Sequence, residues 1–159
     1  MKNKAVYETP VVEERKEIKL VGLRVLCEGN QYIHEIPKAS TALRSQLQSI
    51  QHVVDSSKQI GAFVVDAQTK QEDGYWVCVE VEKYEDVPAD MVELTIPPQK
   101  YAVTKHIGRN DEIKNSYEIL HNWIQKNGYI RLLKNWHIEI FHTFNVGDQL
   151  EIDLYDTIQ

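Results

Sequence analysis

The chain predicts an α+β domain in which one β-α-β-β unit is written twice, and three observations carry that expectation. Two segments of helical period, 43–54 and 113–124, each place four apolar residues at spacings of 4, 3 and 4. Each is followed by two short strand-like runs, the pattern of a hairpin. Each is also preceded by an extended run. Such a duplication predicts an antiparallel sheet, two main helices and a pseudo-twofold ligand cleft where the halves meet.

The first extended run is "VVEERKEIKLVGLRVLCEG", residues 11–29, in which Leu20, Gly22 and Arg24 alternate with Val21, Leu23, Val25 and Cys27. After the loop "NQYIHEIPKA", the segment Ser40 to Ser57 sets Leu43, Leu47, Ile50 and Val54 on one helical stripe, with Ser40 as candidate N-cap. "IGAFVVDA" and "YWVCVEVEKY", separated by the polar "QTKQEDG", then read as a hairpin. The acidic run "VEVEKYEDVPADMVE" reads as a solvated edge and linker between the halves.

The second half opens with "KYAVTKHIG". Residues 110–127 follow as a helix with Ile113, Tyr117, Leu120 and Ile124 on its stripe, Asn110 as N-cap, Asp111 and Glu112 in the first turn, and Gly128 as the stop. "WHIEIFH" and "QLEIDLYDTI" form the second hairpin. The helical stripes superpose at an offset of 70, from Leu43 to Ile113, and the hairpins at 75, which lays Gly61 on Trp136, Val64 on Glu139 and Tyr75 on Leu150. The difference of 5 implies a longer link after the second helix. The pseudo-repeats span about 11–84 and 90–158 within a single domain of 159 residues.

Composition narrows the function. An apolar fraction of 42% with 26% charged residues is that of a folded soluble protein, large enough to bury roughly two thirds of its unfolded surface. The 24 acidic and 18 basic residues give a net charge of -6, with no basic patch to meet a phosphate backbone, so direct nucleic-acid binding is not expected. Cys27 and Cys78 lie in apolar runs, neither in a metal or redox spacing, and read as buried free thiols. No segment has the apolar length of a signal peptide core or a membrane span, so a reducing cytoplasm is the expected compartment. No Gly-rich phosphate loop, GxSxG motif or helix-turn-helix pairing is present, and His137 with Glu139 falls one or two ligands short of a metal site. No metal or cofactor is expected.

The residue that asks for an explanation is Glu139. With a strand's period of two, Trp136, Ile138 and Ile140 share one face, and His137, Glu139 and Phe141 the other. A carboxylate in mid-strand beside an aromatic is at a solvated edge, paired inside the protein, or awaiting a ligand, because burying it unpaired costs several kcal/mol. Phe141, Trp123 on the second helix, Tyr75 or Trp76 on the third strand and Tyr155 on the last are the aromatic residues that could line a pocket around it. Each also has a plain role as a core or rim side chain. Aromatic faces with one carboxylate suit a small hydrophobic or cationic organic ligand.

The chain resembles the GyrI-like small-molecule-binding domain, the effector-binding domain of AraC-type and multidrug-responsive bacterial transcription regulators. The resemblance covers nearly the whole chain and rests on "VVEERKEIKLVGLRV", on "TIPPQKYAVTKHIG" with its proline, aromatic, small apolar run and glycine, on "LHNWI", and on "IEIFH" before "LEIDLYDTI". It implies the duplicated β-α-β-β fold and a glutamate beneath an aromatic-lined pocket, at the position of Glu139. It also implies pocket roles for Trp123 and Tyr155. Many members read Glu-x-Tyr where this chain has Phe141, so a role needing that hydroxyl does not carry over.

With no DNA-binding module in the sequence, the resemblance is to stand-alone members, which bind or sequester ligands. The expected function is therefore small-molecule binding, with a separate regulator or another protein as a further possible partner. Some GyrI-like proteins hydrolyse electrophilic cyclopropane-bearing genotoxins, which implies a second reading with Glu139 as general base and Tyr155 or Tyr101 supplying a hydroxyl. The family's namesake modulates a topoisomerase, which implies a third, protein-interaction reading.

Overall fold

Alternating side chains in the second half of the chain and a 3.6-residue stripe between them settle into strand and helix where expected. In a computed structural model describing residues 6–7, 9–142 and 149–159, the elements are β1 (Val6–Tyr7), β2 (Val11–Arg15), β3 (Ile18–Val25), α1 (Tyr32–Ser45), β4 (Gln59–Val64), β5 (Tyr75–Val81), β6 (Val92–Ile96), β7 (Gln99–Gly108), α2 (Ile113–Lys126), β8 (Trp136–Phe141) and β9 (Leu150–Ile158). The described strands form one antiparallel sheet in the order β1-β7-β9-β8-β4-β5-β3-β6, with β2 also on β7. The fold is α+β. Each half contributes a β-α-β-β unit, and the halves join where β4 pairs with β8.

Three expectations about the elements are corrected. The first helix is Tyr32–Ser45 and not 40–57, because the apolar stripe runs without a break through Tyr32, Ile36, Ala39 and Leu43 as well as Leu47, Ile50 and Val54, always at spacings of 4 and 3. Pro37, in the run expected to be a loop, sits inside the helix, where it removes one backbone hydrogen bond. The chain instead leaves the helix at Gln46, makes a 3-10 turn over Leu47–Ser49, and leaves Val54 50% exposed. Ser40 is therefore no N-cap. The opening run divides into β2, on β7, and β3, between β5 and β6. The acidic run 79–93 is not all linker: it takes in the end of β5 and the first two residues of β6, an edge strand on β3.

The pairing registers also replace the repeat offsets. Offsets of 81 for the first strand and helix, 78 for β4 and 77 for β5 carry pairs of one half onto pairs of the other. Leu20–Glu80 falls on Tyr101–Thr157, Gly61–Val77 on Glu139–Leu154, and the isolated bridge Val53–Val81 on Arg131–Ile158. An offset of 75 cannot hold, because a twofold normal to an antiparallel sheet keeps each residue on its own face. Gly61 pairs with Glu139 and Val64 with Trp136, so Gly61 and Trp136 face opposite ways. The true counterpart of Glu139 is Gly61, its direct partner across the β4–β8 pair. The pseudo-axis passes between them, and the link after the second helix is the shorter one.

α2 ends by a Schellman arrangement. Gly128 has φ +76, Gly128 N–H donates to Gln125 O and Tyr129 N–H to Ile124 O, while Tyr129 stacks on Trp123 at 5.8 Å. At the other end Asn110 is not the expected N-cap: a 3-10 turn over Asn110–Glu112 precedes the helix, which starts at Ile113, and Arg109 N–H donates to Glu112 Oε1 to close the start.

One sheet face carries the helices. α1 packs on β3 and β5 through Leu43, Val21, Val77 and Val79, and α2 packs on β7 through Leu120 and Ile124. The central strands β4 and β8 consequently lie between the two helices. On the opposite face Leu20, Ile60, Trp76, Ile138, Ile140 and Tyr155 make one continuous cluster from both halves. No described helix is long and apolar enough to cross a membrane. Cys78 is buried and Cys27 is partly exposed, both as free thiols.

Candidate functional site

Glu139 occupies the middle of β8 on the helix-bearing face, in the strip between α1 and α2, and is 8% exposed. Its partners among the described residues are two phenols. Tyr75 on β5 donates to Oε1 at 2.5 Å, and Tyr117 on α2 donates to Oε2. Burial pushes the carboxyl above its ordinary range, against the two phenolic hydrogen bonds and, more weakly, the buried His106. Both phenols are pushed well up, first by burial and then by the charge of Glu139. They stay neutral donors. The carboxyl is thus set in an apolar surrounding with two neutral hydrogen-bond donors, and no ion-pair partner for it stands among the described residues.

The surroundings are aromatic. Phe63 on β4 lies between the Tyr75 ring at 5.8 Å and the His137 ring at 5.7 Å, nearly parallel to both. Gly61, opposite Glu139, leaves room for the Tyr75 ring: a Cβ there would stand 1.8 Å from its hydroxyl oxygen. His106 is fixed by Ser116 Oγ at 2.6 Å on Nδ1 and by Arg109 O at 2.9 Å on Nε2, which places its proton on Nε2.

A second acid lies beside the first. Asp156 on β9, 1% exposed, takes Arg131 Nε on both oxygens at 3.0 and 3.1 Å, and His137 Nδ1 stands 3.2 Å away. His121 Nε2 is 2.7 Å from Oδ2, though not aligned as a hydrogen bond. Burial alone would raise this carboxyl, but His121, His137 and Arg131 outweigh it and hold it well below the usual carboxylate range. The equivalent place in the first half has Ser40, Gln59 and Val79, where Ser40 Oγ donates to Gln59 Oε1 at 2.5 Å and Gln59 Nε2 to Ser40 O at 3.0 Å. Each half therefore brings its helix to its sheet through a polar contact at one position, Ser40 with Gln59 in the first half and His121 with Asp156 in the second. Among the described residues no group of His, Cys, Asp or Glu is arranged to hold a metal ion.

Of the residues singled out in the sequence, Tyr75 touches Glu139. Phe141 and Trp123 lie on the same face in the α2 cluster with Tyr117. Trp76, Tyr101 and Tyr155 lie on the far face, since each is one residue out of phase with the strand positions that face the helices. Trp76 meets Trp136 edge-on at 5.0 Å beneath Arg24. Tyr101 and Tyr155 pack edge to face at 5.4 Å, with Tyr155 OH accepting from Arg15 at 3.0 Å. The sheet separates these hydroxyls from Glu139, so the phenols available to it are Tyr75 and Tyr117. The sequence marks Tyr117 only as a member of the second helix's apolar stripe and Phe63 only as part of a strand run, neither with a role at the site. A tyrosine on the buried stripe of a helix needs a partner for its hydroxyl, and that was the available signal.

The sequence family described as "Cass2: Integron-associated effector binding protein" matches residues 11–158. No curated protein matches the chain in sequence. Among solved structures the fold is similar to that of SAV2435 bound to tetraphenylphosphonium, with a TM-score of 0.72 at 12% identity over 96% of this chain and 94% of that one. It is similar to the EcmrR C-terminal domain, TM-score 0.67 at 16% identity over 97% and 98%. It is also similar to an integron cassette protein from the mobile metagenome of Vibrio cholerae, TM-score 0.62 at 7% identity over 99% and 100%.

Proposed function

The chain belongs to the Cass2 family of integron-associated effector-binding proteins, and from that premise we propose that it binds a small organic cation with aromatic or aliphatic bulk, held against Glu139 between α1 and α2. The observation that carries this reading is a buried carboxylate whose described partners are neutral phenols. Two hydrogen bonds keep the carboxyl in place, and a bound cation would compensate the charge of its ionised form. Tyr75 and Tyr117 offer aromatic surface to such a ligand, Phe63 backs the Tyr75 ring, and Phe141 and Trp123 extend the same apolar side. Tetraphenylphosphonium, the ligand of the SAV2435 structure, has the matching chemistry: a permanent charge wrapped in aromatic rings.

Calorimetric titration with tetraphenylphosphonium, beside a neutral aromatic of like size, tests the proposal. Saturable binding of the cation is expected, weakened by about 1.5 to 3 kcal/mol in Glu139→Gln, the range of a hydrogen-bonded or paired charge. Equal affinity in both proteins, or equal affinity for the neutral compound, would remove the assignment. Turnover is read in parallel with an electrophilic ligand. Product beyond one equivalent per chain would move the function from binding to hydrolysis, with Tyr75 or Tyr117 as the hydroxyl beside Glu139.

A further inference from the structure

We propose that Gly61 is a positioning residue of the site, the gap in β4 through which Tyr75 reaches Glu139. The proposal rests on the binding reading above for its ligand, but its geometry stands in the free protein. Tyr75 is on β5 and Glu139 on β8, with β4 running between them. Strands two apart are separated by about 10 Å, so the phenol must lie flat across β4 to touch the carboxylate. At the crossing point β4 has no side chain. An added Cβ would stand 1.8 Å from the Tyr75 hydroxyl oxygen, 2.4 Å from Cζ and 2.9 Å from Cε1. The three nearest atoms all belong to Tyr75, so the closest clash is with that ring.

The backbone itself does not demand glycine, because Gly61 is not among the described glycines of positive φ. Its burial in a central strand would ordinarily favour a β-branched residue, which packs better and costs less entropy there. The exception is explained by what crosses it. Gly61 is also the pseudo-twofold counterpart of Glu139, so at the axis one half supplies the charge and the other supplies the space. A side chain at 61 would swing the phenol away, leave Oε1 without its donor, make Glu139 harder to ionise and remove one aromatic wall. All these effects weaken a cation's hold.

The test uses the full chain and tetraphenylphosphonium. Gly61→Ala is expected to weaken binding by about tenfold, the equivalent of one good hydrogen bond, and to raise the pKa of Glu139 in the free protein as Tyr75→Phe does. The pKa is followed by the carboxyl carbon resonance as pH is varied. In a Tyr75→Leu background, where no ring crosses β4, Gly61→Ala should change affinity and pKa little, so that the two substitutions are strongly non-additive. An unchanged pKa in Gly61→Ala, or the same loss in both backgrounds, overturns the proposal. Should Gly61→Ala fail to fold, the double variant decides: folding restored supports the assigned clash, and folding lost again places the clash elsewhere. If tetraphenylphosphonium does not bind even the unsubstituted protein, the binding reading fails, while the titration of Glu139 still judges Gly61.

Discussion

Two buried carboxylates seventeen residues apart, Glu139 and Asp156, are treated by the fold in opposite ways, and pH separates them. Glu139 has its carboxyl raised by burial. Its protonated form is favoured in the folded chain, so it adds stability below the unfolded pKa of about 4.3 and loses that contribution as pH rises through the folded value. Glu139→Gln should therefore be more stable than the unsubstituted protein at pH 8, with a smaller difference at pH 5, by thermal unfolding. Lower stability of Glu139→Gln at pH 8 would mean the charge is needed structurally. Asp156 has its carboxyl held down by Arg131, His121 and His137 against burial. It contributes stability above its unfolded pKa of about 3.9 and loses it as pH falls through the folded value. Asp156→Asn should cost about 2 to 3 kcal/mol at neutral pH, discounted for the partly exposed Arg131 and His121, and the gap should narrow in strong acid. Denaturant unfolding at pH 7 and pH 2.5 measures both.

The two helices bury their stripes by different means. α2 is closed at both ends, by Glu112 before it and by Gly128 after it. Gly128→Ala adds a Cβ that meets nothing within 4 Å, so its cost is purely that of a left-handed backbone, about 1 kcal/mol. A similar loss in unfolding free energy with unchanged tetraphenylphosphonium affinity is expected, and a change in affinity instead would show that the helix end shapes the site. α1 carries Pro37 within it and lacks a side-chain cap at its start. Its stripe of Tyr32, Ile36, Ala39 and Leu43 is the counterpart of Ile113, Tyr117, Leu120 and Ile124 at an offset of 81. Tyr117, which donates to Glu139, therefore corresponds to Ile36, and only α2 brings a hydroxyl to the axis.

Across the whole molecule the duplication makes a symmetric frame and the sequence breaks it at the centre. Gly61 faces Glu139, Ile36 answers Tyr117, Gln59 answers His137, and Val79 answers Asp156. At the axis the second half holds the charges while the first holds space and apolar surface. On the proposed binding reading, a ligand between the helices would therefore meet two unlike walls and be held in one orientation.

Local pattern was enough to determine the α+β class, the two-unit order, β4, β5, β7, β8 and β9 to within a few residues, and the helix of the second half. Strand period and capping chemistry act over a few neighbours and are written in the chain. The same period put Glu139 on the face opposite Ile138. It also chose the wrong half of a stripe that runs from Tyr32 to Val54, because nothing local says which turn of an unbroken pattern will pack on a sheet. Registers between strands far apart in sequence were decided only by tertiary pairing, and with them the offset that matches Gly61 to Glu139. Whether Tyr75 or Trp76, Tyr117 or Tyr155 would reach the carboxylate followed from those registers, since one residue of slip moves a side chain to the other face of the sheet.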